Sequence, residues 1–103
     1  SKREVCIDFG TSNFNNINNL DCLNIILGEF TIQNIGLVQI DTPFDASYPY
    51  TISSYIHNKC KIQSIQIEIN SKLLYGELAD KYFEKIYIAL RNSIIKLNNF
   101  LGN

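Results

Sequence analysis

From Ala79 to Leu101 the residues Ala79, Phe83, Ile86, Leu90, Ile94, Leu97 and Leu101 recur at intervals of three or four. That rhythm puts them on one stripe of an α-helix and commits about a quarter of the 103-residue chain to a single element. The helix is expected over Glu77–Leu101. Glu77 and Asp80 lie in its first turn and Lys96 near its end, the order that the helix dipole favours, with Gly102 as the expected stop. A stripe this long faces a core, so the rest of the chain has to provide one.

The other periodic stretch is of a different kind. In Ser64–Asn70 the apolar residues Ile65, Ile67 and Ile69 alternate with the polar Gln66, Glu68 and Asn70, the period of a strand with one apolar and one polar face. Glu4–Asp8 reads as a short buried strand and Leu37–Ile40 as another. Between them Leu20, Leu23, Leu27 and Phe30 carry helical spacing, with Asn18 or Asn19 available as a cap and Gly28 as a weak point. Strand, helix, strand makes a βαβ unit, expected to cross over right-handed. The stretch from Asp41 to Lys61 holds both prolines and is expected to be loop. The expected fold class is therefore α/β: a βαβ unit, a third strand and a long C-terminal helix, in one domain over residues 1–103.

Composition narrows the function. A net charge of −1 gives no basic footprint for nucleic acid, and no apolar run reaches the roughly 20 residues of a membrane helix. Three scattered cysteines without a CxxC pair suit reduced thiols in a cytoplasmic protein rather than a disulfide framework.

Three places could carry chemistry. Ile7–Asn13, "IDFGTSN", is similar to the first phosphate loop of actin-like and heat-shock-chaperone ATPases, with Asp8 and Thr11 as the residues of interest. The bland alternative is a polar turn after a buried strand. His57 is the only histidine, too few for a zinc site that takes three or four ligands. Glu68 is a carboxylate on an inner strand with Gln66 and Asn70 on its face; it sits either on a solvated face or in a cleft as a general acid or base.

The order of these pieces carries a resemblance. "DTPFDASYPY" followed by "IQSIQIEINSKLLY" and a long helix, preceded by "REVCIDFGT", resembles the C-terminal part of the N-formylglutamate amidohydrolase family, from about Arg3 to Leu97. The resemblance implies a partial zinc-exopeptidase-like (phosphorylase/hydrolase-like) sheet and metal-dependent hydrolysis of a non-peptide C–N bond. It implies that Glu68 is the proton-shuttling catalytic residue beside a zinc-polarised carbonyl. It also implies that the loop of Asp41, Thr42, Pro43, Phe44, Ser47 and Tyr48 lines the substrate pocket, with Pro43, Phe44, Ser47 and Tyr48 binding a small N-acyl amino acid. The family's zinc ligands lie in His motifs upstream of the counterpart of Val5, so an upstream segment or a second chain would have to bring the metal. Many members also carry an Arg, suited to grip a carboxylate, where Thr51 or a near neighbour stands here.

Two other expectations stand beside the amidohydrolase one. The chain is a free-standing, degenerate α/β module with a binding or vestigial role, or it is an actin-like phosphate-binding fragment. Neither involves nucleic acid or a membrane.

Overall fold

The structure, a computed structural model, describes residues 5–42, 45–47 and 51–102. Among these the element order is β1 (Ile7–Gly10), α1 (Leu20–Ile32), β2 (Val38–Ile40), α2 (Ile52–Cys60), β3 (Gln66–Ile69), a 3-10 turn (Ser71–Leu73) and α3 (Glu77–Gly102). The chain is α/β, with a small mixed sheet and a long last helix. It forms two compact units, one from Ser1–Asn19 and Leu37–Asn70, the other from Leu20–Gly36 and Ser71–Asn103.

The first unit holds the sheet, in the order β2-β1-β3. β1 runs parallel to β2, as the βαβ expectation requires, and antiparallel to β3. The register explains the alternation in the sequence. Ile7 stands opposite Val38 and Ile69, and Phe9 opposite Ile40 and Ile67, so six apolar side chains share one face. Asp8 stands opposite Gln39 and Glu68, so a polar row crosses the other face. Sliding β3 by one residue would reverse both faces, so the Ile-rich face fixes the register.

The second unit is helical. α1 packs on α3, and the Ser71–Leu73 turn packs on α3 as well. α1 buries Cys22, Leu23, Ile26 and Phe30, four apolar residues on one side. It runs through Gly28, where added side-chain volume would meet open space. Buried Glu29 is ion-paired with Lys96 of α3. No helix among the described residues is long and apolar enough to cross a membrane.

Two features depart from the sequence expectations. The later part of the stretch expected as loop after β2 is helical: α2 is capped by Thr51, whose hydroxyl accepts from the Ser54 N–H at 3.3 Å, and ends with Lys61 in the left-handed region at φ 59°. The core seam of α3 is Ile86, Ala89 and Ser93, and Phe83, Ile94 and Leu101 of the expected stripe are exposed. Small residues at Ala89 and Ser93 let a neighbouring helix approach closely. The Ser93 hydroxyl satisfies itself by donating to the Ala89 carbonyl at 2.7 Å, so a polar residue serves as core. α3 also continues through Gly102 instead of stopping before it.

Candidate functional site

The site is built on the polar face of the sheet and its carboxyl edge. In open α/β sheets the ends of parallel strands are where ligands gather, and here β1 and β2 both end there. Glu68 is half-buried and accepts a hydrogen bond on Oε1 from Gln66 Nε2 at 3.0 Å. Directly across the ladder is Asp8, 1% exposed, whose Oδ1 accepts from the Thr42 N–H at 3.0 Å. The Asn70 N–H donates to the Cys6 carbonyl, which makes Asp8 and Glu68 a hydrogen-bonded pair with Cα atoms about 5.5 Å apart. Two carboxylates therefore share one row with Gln39 at its far end.

The turn that follows β1 closes this edge. Thr11 is fully buried, and its N–H donates to Asp41 Oδ1 at 2.6 Å while its hydroxyl donates to Asp41 Oδ2. The same hydroxyl accepts from the Phe14 N–H at 2.8 Å. Ser12, Asn13 and Phe14 are all left-handed, at φ 55°, 53° and 69°. Three such non-glycine residues in a row are costly, and bulky Phe14 most of all. The donors that an actin-like phosphate loop would offer to a phosphate are thus taken by a carboxylate of the chain itself.

A second segment lies against the same edge. Ala46 is buried, and a Cβ placed on Gly10 would come within 2.7 Å of the Ala46 Cβ and 3.5 Å of the Gln66 Cβ. The Ser12 N–H donates to the Asp45 carbonyl, the Ser47 N–H to Asp45 Oδ1 at 3.1 Å, and the Thr51 hydroxyl to the Ala46 carbonyl at 2.8 Å. The structure therefore brings the Ala46–Ser47 segment against Gly10 and Gln66, the cross-strand pair next to Asp8 and Glu68 on the same face. Pro43, Phe44 and Tyr48 lie outside the described residues. No protein family, curated protein or solved structure matches this chain.

Two residue positions bear on metal and substrate chemistry. His57 sits on α2 with Nδ1 2.8 Å from the Ile62 carbonyl oxygen. Among the described residues no group of three or more His, Cys, Asp or Glu is placed to hold a metal ion. Thr51 serves as the N-terminal cap of α2. The feature missed by the sequence reading is the Asp8–Glu68 juxtaposition. Its signal was present, since Ile7-Asp8-Phe9 and Ile67-Glu68-Ile69 share one apolar-acid-apolar pattern.

Proposed function

We propose that this chain is the C-terminal part of a cytoplasmic, metal-dependent amide hydrolase related to the N-formylglutamate amidohydrolases. Its substrate class is small N-acyl amino acids, and Glu68 is the residue that moves the proton. The observation that carries this reading is the setting of Glu68. It is half-buried, held by Gln66, stands opposite buried Asp8, and lies next to the Gly10–Gln66 pair against which Ala46 packs.

In this reading Glu68 takes a proton from the attacking water and passes it to the leaving amine. Gln66 orients the carboxylate through Oε1, and Asp8 adds negative charge on the same row. The substrate-binding residues in this reading are Pro43, Phe44, Ser47 and Tyr48. The parallel β1–β2 pair with an antiparallel β3 is compatible with a partial zinc-exopeptidase-like sheet. In this reading the zinc ligands come from an upstream segment or a second chain, as the resemblance to the family implies. The three cysteines, all free thiols, agree with a reducing compartment.

Native and denaturing mass spectrometry of the protein purified from its source, with a metal assay on the same sample, tests this. The expected result is a linked or co-purifying His-bearing segment and about one zinc per assembly. A chain that runs alone and metal-free overturns the reading. A second reading, a free-standing α/β module that binds a partner, is favoured by the apolar side chains left exposed on α3.

A further inference from the structure

α3 carries more apolar surface than its own seam uses. Phe83, Tyr87, Ile94 and Leu101 are 53%, 58%, 68% and 67% exposed, and half-buried Leu90 and Leu97 join them into one line. Their intervals are four, three, four, three and four, a two-per-seven spacing held along most of the helix. That is the spacing by which one helix seats against another. A row of this kind on one face is larger than the scattered apolar residues usual on a surface.

The charges beside this line say which helix fits. The spacing of Phe83, Tyr87, Leu90 and Ile94, four, three and four, is the same in either direction. In an antiparallel pair Phe83 of one copy lies against Ile94 of the other, and Tyr87 against Leu90. The residues flanking the line on its solvent side include Glu84 and Arg91, one turn before and one turn after Tyr87. In that pairing Glu84 of each copy comes within about 3 Å, along the axis, of Arg91 of the other. Opposite charges therefore meet twice. Arg91 is already held at this flank, 5.9 Å from the centre of the Tyr87 ring.

We propose that α3 is a self-association surface, on which a second copy of this chain docks its own α3 antiparallel, centred between Tyr87 and Leu90. The line of apolar residues supplies the burial. The Glu84–Arg91 pairs set direction and register, as flanking charges do in paired helices. The surface is independent of the Glu68 row, so either can fail without the other.

The test is sedimentation velocity on the full chain at several concentrations, with circular dichroism to check that each variant keeps its helix content. The wild type is expected to run as a dimer, and Ile94→Glu as a monomer. Glu84→Arg alone and Arg91→Glu alone each put like charges together twice and are expected to weaken association about tenfold. The double variant Glu84→Arg/Arg91→Glu restores both pairs and is expected to recover most of the loss. A wild-type monomer, a dimer indifferent to Ile94→Glu, or single charge variants that the double does not rescue would overturn the proposal. So would a foreign helix occupying the line while the purified chain alone stays monomeric.

Discussion

At the carboxyl edge of the sheet, both donors of Thr11 are held by Asp41, and Gly10 has no room for a side chain beside Ala46. Along α3, by contrast, Phe83, Tyr87, Ile94 and Leu101 stand exposed while a narrow seam of Ile86, Ala89 and Ser93 does the packing. Both regions hold groups that ordinary folding would avoid. The first contains left-handed Ser12, Asn13 and Phe14 and two carboxylates on one row. The second contains unburied hydrophobic side chains. Strain and like charge persist only where surrounding bonds over-determine them, which is a pattern of functional sites. Exposed apolar lines need no such support and are typical of surfaces that meet another chain.

Substitutions can sharpen this contrast. The largest effect is expected at Phe9, fully buried on the apolar face between Ile40 and Ile67. Phe9→Ala is expected to lower stability by about 3–5 kcal/mol in urea unfolding, whereas Phe83→Ala on the exposed line should stay within about 0.5 kcal/mol under conditions where the chain is monomeric. Equal losses at the two positions would erase the distinction between them.

An intermediate effect is expected at Gly10. The added methyl of Gly10→Ala forces Ala46 away, at a cost of about 1–3 kcal/mol by the same measurement. Pairing it with Ala46→Gly, which also relieves a left-handed alanine at φ 59°, should recover part of that loss. A harmless Gly10→Ala would mean that Ala46 does not pack against Gly10.

The smallest effect has the opposite sign. Gly28 lies inside α1 with open space where a side chain would go, so Gly28→Ala is expected to stabilise by about 0.5–1 kcal/mol, read as a raised melting temperature. A destabilised variant would show that α1 uses Gly28 for a close approach.

How much of this the sequence disclosed follows from how local each signal is. The alternation in Ile65–Asn70 and the βαβ order were legible because a strand's period is written in consecutive residues. α2 was hidden between Pro49 and Lys61: its helix rests on the Thr51 cap and on the bond of Asn16 Nδ2 to buried Ser54, a long-range contact that no local pattern announces. The face of α3 was misjudged because the apolar arc is wider than the seam, and the seam is chosen by small Ala89 and by Ser93, which reads as polar. The candidate site was half visible. Glu68 stood out on its own strand, but its partner Asp8 is 60 residues away and becomes a neighbour only through the antiparallel register. The Asp41 clamp on Thr11 is likewise a product of topology.

The account turns on Glu68. The most direct measurement is hydrolysis of a panel of N-acyl amino acids by the zinc-loaded assembly containing this chain, wild type against Glu68→Gln, with zinc content and KM determined alongside. The account predicts a fall in kcat of about 10²-fold or more with zinc content and KM little changed. Equal turnover by the two proteins would contradict it.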